Sequence, residues 1–138
     1  MKALAGPAAA AALAGAACAV PPAQPADGEQ AWRQCAACHA LEAGANTPAG
    51  PALHAVVDRP IAAEPGFNYS PALRRFAVRH GRWTPELLDR FLADPAAIVP
   101  GTEMGFPGMT DAAERRALIA WLAERGARSS HPGESRDP

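Results

Sequence analysis

The pentapeptide Cys35-Ala36-Ala37-Cys38-His39 constrains this chain more tightly than any other stretch of it. Two thiols three positions apart, with an imidazole next door, form the pattern for covalent attachment of a c-type haem. Each thiol can add across one vinyl group of the porphyrin as a thioether. The adjacent histidine then stands under the ring, where its neutral nitrogen can bind iron. Three rivals use the same letters. A thioredoxin-like redox pair needs a βαβ surround, and no strand-like apolar run lies near residue 35. A zinc site wants four ligands. Cys35, Cys38 and His39 would need a fourth from His54, His80 or a carboxylate, and the sequence holds no second CxxC or HxxxH pair. The third rival is a plain disulfide.

A chain of 138 residues makes one domain. Residues 1–19 read as a secretory signal: Met1-Lys2 is a minimal charged start, Ala3 to Ala19 is alanine-rich and uncharged, and Ala17-Cys18-Ala19 supplies an A-x-A-like cleavage site. The stretch is short and broken by Gly6-Pro7, which argues against a permanent membrane span. Ala16-Ala17-Cys18 also resembles the end of a bacterial lipoprotein signal with Cys18 acylated, but Gly15 stands where a bulky residue is expected, so cleavage is favoured. Either route exports the chain to the periplasm, where c-type haem is attached in bacteria. Residues 20–26 form a Pro/Ala-rich spacer. Residues 27–125 form the folded unit, and the polar stretch 126–138 is expected to be a disordered tail.

Charge is nearly balanced, at a formal net of −1. Lys2 is the only lysine and lies in the signal, leaving twelve arginines against fourteen carboxylates. No basic stripe with interleaved aromatics is present, which excludes nucleic acid as the expected partner.

The folded unit reads as helices joined by much loop. Asp27 caps a helix beginning at Gly28 that runs into the CxxCH. Ser70-Pro71 opens a second helix to about Arg79, and Thr84-Pro85-Glu86 opens a third. There Leu87, Leu88, Phe91 and Leu92 recur at helical spacing until Pro95. Thr110 or Asp111 starts the last helix, with Leu118, Ile119, Trp121 and Leu122 on its apolar face and Gly126 at its end. Nothing alternates with period two for long. The expected fold is all-α: four to five short helices wrapped around one covalently bound haem, whose burial completes a small core.

In this order the elements resemble the class I cytochromes c, the soluble monohaem electron carriers of mitochondria and bacteria. The likeness runs from Gly28 to Leu122. It takes in Gly28 and Trp32, Cys35 to His39, Gly50-Pro51-x-Leu53, Arg59, Pro65-Gly66-Phe67-x-Tyr69-Ser70, Trp83, Phe91-Leu92 and Asp94-Pro95. It closes with Pro100-Gly101-Thr102-Glu103-Met104-Gly105-Phe106 and Leu118-Ile119-x-Trp121-Leu122. The resemblance implies an all-α fold and one haem c bound through Cys35 and Cys38, with the iron held between His39 and Met104. A thioether in the sixth position favours the ferrous form and raises the potential. Met109 is read as core packing, and His54, His80 and His131 as solvated surface residues. The family further implies that the Pro51 carbonyl accepts the second N–H of the ligating imidazole. It also implies that Arg59, Tyr69 and Trp83, with Thr102 as a further donor, bond to the haem propionates. By the same resemblance Phe106 is expected beside the exposed haem edge, with Leu53, Phe91 and Leu118 lining the pocket. Trp32 and Trp121 cross where the first and last helices pack, with Gly28 allowing the approach.

The chain departs from that pattern in charge. Glu103 stands where the common soluble carriers have lysine, and the ring of lysines around the haem edge is missing, so steering by a strongly basic edge is not expected. The function implied is that of a periplasmic monomeric carrier passing single electrons between redox protein partners, not an enzyme. The alternative is a small haem peroxidase or a gas-binding haem module, either of which requires a displaceable sixth ligand.

Overall fold

The computed structural model describes residues 26–129. The leader read over 1–19, Cys18 within it, His131 and the end of the polar tail lie outside the described residues.

Among the described residues, five helices follow from capping chemistry. Asp27 accepts from the backbone N–H groups of Glu29 and Gln30 and opens α1, Gly28–Trp32. Ser70 accepts from the Leu73 N–H at 3.2 Å, and Pro71 starts α2, Pro71–His80. Thr84 does the same for Leu87, and Pro85 starts α3, Pro85–Ala93. Each cap satisfies an amide that the first turn leaves without a helical partner. Asp94 caps the single-turn α4, Pro95–Ile98. Pro95 therefore ends one helix and opens another, which its fixed φ and missing N–H both allow. Asp111 accepts from Ala113 and Glu114 at the head of α5, Ala112–Ser129.

The boundary expected at Gly126 is corrected here. Helix α5 runs through it to Ser129, and Gly126 is buried with Ala55 against it. The stop expected from glycine fails because this one serves packing rather than a left-handed cap. His80 is the last residue of α2, one past the end expected near Arg79, its ring tilted against Phe76 with centroids 4.1 Å apart.

Helices α1 and α5 cross at close range. A Cβ on Gly28 would collide with the Ala117 carbonyl oxygen and the Trp121 side chain, so only glycine lets the backbones approach this far. Trp32 and Trp121 stack beside the crossing at 6.0 Å, with Arg125 over the Trp121 ring. Helix α3 lies along α5, pinned by the Arg115–Asp89 ion pair at 2.8 Å. An antiparallel clasp then joins the 58–61 segment to 81–83: Asp58 N–H donates to Trp83 O, Trp83 N–H to Arg59 O, and Ile61 N–H to Gly81 O. It sets Arg59 and Trp83 side by side. Phe76, Trp83 and Phe91 continue the core as a row of rings, and Leu118, Val99 and Pro95 fill its centre.

Candidate haem-attachment site

The attachment motif is a continuation of α1 by turns. Cys35 N–H donates to Trp32 O, and Cys38 and His39 both donate to Cys35 O at 3.0 Å. Residues three and four apart on such turns share one side, so the two thiols and the imidazole face the same space. Cys35 is half-buried, Cys38 exposed and His39 half-buried, and both thiols are free.

The thiol chemistry separates the rivals. Burial, reinforced by the negative charge of Cys38 and Glu114, pushes the Cys35 thiol up to about 11. Redox CxxC pairs work through a lowered thiol pKa, the opposite of what this surround produces. Among the described residues no three His, Cys, Asp or Glu side chains gather as a metal-binding set.

His39 is confined from both sides. Its Nδ1 lies 2.7 Å from the Pro51 carbonyl oxygen, which can only accept, so Nδ1 carries the proton and Nε2 is left with its lone pair. Burial lowers the pKa of the ring, with the Pro51 bond opposing, and the neutral form is the one that binds a metal. On the other side, a Cβ at Gly50 would stand 2.6 Å from Cε1 and 2.7 Å from Nδ1. Thr47 fixes that turn: its hydroxyl donates to Cys38 O at 2.6 Å and accepts from Gly50 N–H at 3.1 Å.

The second sulfur-bearing segment is the 100–110 loop. Thr102 Oγ1 accepts from Met104 N–H at 3.2 Å. At the far end Met109 N–H donates to Leu92 O, and Arg115 Nη1 donates to Met109 O and Thr110 O. Met109 is core, 3 % exposed. Met104 is half-buried, at the margin of the same cluster, as are Cys35, Leu53 and Phe106. Phe91 and Leu118 are buried within it.

The donor cluster holds a residue that sequence reasoning missed. Glu64 is buried, its carboxylate 2.7 Å from Arg59 Nη1, with Gly44 N–H donating to the other oxygen at 3.0 Å. Arg59 also donates to the carbonyls of His54 and Ala52. Its Nε is buried with no partner, an orphan donor inside the fold. Tyr69 is buried and its hydroxyl accepts from Glu64 N–H at 3.1 Å, which leaves its own proton to donate. Burial raises the Tyr69 pKa and keeps that proton in place. Trp83 pairs with Arg59 through the backbone, its N–H donating to Arg59 O at 3.0 Å. Unspent donors from Arg59 and Tyr69 thus stand together around Glu64, with Trp83 paired to Arg59, as carboxylates of a bound group require. With the half-buried apolar rim, this donor set fits a haem.

No family model matches the sequence. Cytochrome c2 of Rhodopila globiformis is 40% identical over 103 residues, covering 74% of this chain and 93% of that protein. This chain belongs to the class I cytochromes c. Cytochrome c2 of Agrobacterium tumefaciens is 37% identical over 97 residues, 70% of this chain and 87% of that one. Among solved structures, cytochrome c2 from Rhodospirillum centenum superposes with a TM-score of 0.65 at 33% identity, covering 71% of this chain and 94% of that chain. Cytochrome cH from Methylobacterium extorquens gives 0.64 at 37%, covering 70% and 94%. As a member of this family the chain carries one covalently bound haem c and transfers electrons; it is not an enzyme. No helix among the described residues is long and apolar enough to cross a membrane.

Proposed function

We propose that this cytochrome is a periplasmic carrier of single electrons between redox proteins, with haem attached at Cys35 and Cys38 and iron held by His39 and Met104. The observation that carries this is the His39–Pro51 hydrogen bond, because it commits Nδ1 as the donor and leaves Nε2 with its lone pair for iron. When bound, the haem supplies an iron that exchanges one electron between its ferric and ferrous states.

The protein's own groups do the rest. Pro51 holds a proton on His39 Nδ1, which fixes the ring's orientation and raises its basicity. Thr102 and Arg115 pin the two ends of the loop, so Met104 is presented by a braced segment rather than a free one. Arg59, Tyr69 and Trp83 offer donors to the propionates, and Thr102 keeps a hydroxyl proton to add. Leu53, Phe91, Phe106 and Leu118 exclude water from the pocket, which keeps reorganisation small. Export rests on the leader-like 1–19 stretch. The described residues hold a cleft between α5 and the 55–58 loop, lined by Ala55, Val57, Leu122 and Ala123, and a larger, open one between α3 and α5, lined by Pro85, Asp89, Ile119 and Ala123.

Met104→Ala in the purified holoprotein tests the assignment. The weak sulfur-to-iron charge-transfer absorption of the oxidised form is expected to vanish and the reduction potential to fall. Persistence of that band would move the sulfur ligand to Met109.

A further inference from the structure

The positive charge of this cytochrome is concentrated on α2. From Pro65 to Pro85 the chain carries four arginines, one histidine and no carboxylate, within a protein whose formal net charge is −1. The rest of the molecule is correspondingly acidic, including Glu103 and Asp111, both exposed, on the Met104 loop and at the head of α5.

Helix geometry turns this run into a face. Ala72 and Phe76 are buried against the core, while Arg74, Arg75, Val78 and Arg79 are exposed. Arg75 precedes Val78 by three residues and Arg79 by four, and Arg74 precedes Val78 by four, so the arginines surround the valine on the outward side. Val78 is 89 % exposed, the only large apolar side chain so exposed among the described residues. Arg74 is anchored to Tyr69 O and Asn68 Oδ1, and Arg82, just past the helix, to Asp58 O. The Arg75 and Arg79 side chains have no hydrogen bond or ion pair among the described residues.

The bland account is a helix C-terminus that favours cations. It covers Arg79 and His80 but gives nothing to Arg74 and Arg75 in the first half of the helix. Like charges four apart weaken a helix, and no internal anion offsets the pair. We propose that the outward face of α2 is a docking surface for an acidic patch on a partner redox protein. The identity of the partner as a redox protein rests on the electron-carrier function; the charge of the face does not. A guanidinium fork matches carboxylates two bonds at a time, and an apolar residue enclosed by charged ones repeats the plan of a protein interface, with a dry centre and a polar rim. A lipid surface fits less well, because α2 turns no Trp, Phe or Leu outward for insertion. The face is also close to the haem site. Tyr69 and Trp83 flank α2 at its two ends, and its inward Ala72 lies 3.5 Å from where a Gly101 Cβ would stand, on the Met104 loop. A partner on α2 therefore sits one helix away from both.

The test is an NMR titration of ¹⁵N-labelled holoprotein with poly-L-glutamate at neutral pH and low salt. Amide shifts are expected over residues 71–82. The variant Arg75→Glu/Arg79→Glu is expected to bind about tenfold or more weakly, with an unchanged visible spectrum. The neutral pair Arg75→Gln/Arg79→Gln, expected midway, replaces it if charge reversal prevents folding. Shifts centred on Cys38 and Met104, or undiminished affinity in both variants, would overturn the proposal. Stronger binding to phosphatidylglycerol vesicles than to polyglutamate would also overturn it, in favour of a membrane surface. The spectrum of the same samples reports the iron ligands, so failure of the carrier reading registers there, apart from the titration.

Discussion

Replacing Gly50 with alanine puts the confinement of His39 to a quantitative test. The new methyl would lie 2.6 Å from Cε1, 2.7 Å from Nδ1 and 2.9 Å from the Cys38 carbonyl oxygen. Carbon atoms rest comfortably about 3.5–4.0 Å apart, so the ring or the turn must move by about 1 Å. Neither moves freely. The ring is held at 2.7 Å by Pro51, the next residue in the chain, and the turn by the Thr47 bonds to Cys38 and Gly50. Gly50 has no positive φ, so backbone strain adds nothing. Overpacking of this kind costs about 1–3 kcal/mol, and a stretched His39–Pro51 bond adds about 1 kcal/mol. We expect Gly50→Ala to lose about 2–4 kcal/mol, which lowers Tm by roughly 10 °C or more in a domain of this size. Gly105→Ala is the control, since its methyl would meet nothing within 4 Å. Urea unfolding of the two holoproteins, followed by haem absorbance, decides the matter. A Gly50→Ala variant within about 0.5 kcal/mol of the parent, the range of a neutral surface change, would show that the ring is not trapped between Gly50 and Pro51.

Two further outcomes follow from burial. Leu118, 1 % exposed, sits at the centre of the core, so Leu118→Ala is expected to cost about 2–5 kcal/mol in the same urea assay; a loss under about 1 kcal/mol would mean that the site collapses or is not core. Burial holds the His39 pKa below its ordinary 6.5. In the window between those values the unfolded chain binds the extra proton. The stability owed to neutral His39 is therefore complete above pH 6.5 and is lost as pH falls through the folded value. Iron at Nε2 would compete with that proton in the same direction, so urea midpoints of the holoprotein should fall as pH is lowered from 7.5; a rise on entering this window would contradict the sign.

Much of this was legible because caps and prolines are local signals. Ser70-Pro71, Thr84-Pro85 and Asp27 each name a helix start without reference to anything distant, and the structure uses all three. The crossing of Trp32 and Trp121 over Gly28 was legible through resemblance, since no local rule joins residues so far apart. Gly126 misled for a physical reason: a glycine near a helix end is either a left-handed cap or a site of close approach, and only the position of Ala55 distinguishes them. Glu64 was invisible on other grounds. An acidic residue among Ala, Pro and Gly reads as a solvated loop, and its burial depends on Arg59 and Gly44 arriving from elsewhere in the chain.

That unread carboxylate bears on how the donor cluster is poised. Its side chain is 5% exposed, and it already occupies one arm of Arg59, the residue whose Nε is buried without a partner. Glu64→Gln keeps the volume but not the charge. Whichever way the amide turns, either Arg59 Nη1 or Gly44 N–H loses its acceptor and faces another donor. Removing one partner of a buried pair costs about 3–5 kcal/mol; the retained carbonyl oxygen of Gln brings the expected loss nearer about 2–3 kcal/mol, since one net hydrogen bond survives. The electrical consequence is separate. With the propionates placed at Arg59 as proposed, withdrawing a negative charge there leaves Arg59 uncompensated, which favours the state holding the extra electron. The reduction potential is therefore expected to rise while the urea midpoint falls. Were Glu64 only a brace for the 60–66 loop, the midpoint alone would move. A potential that stays put or falls would remove Glu64 from the haem's electrostatic surround and leave the orphan donor of Arg59 as the sole link between that loop and the site.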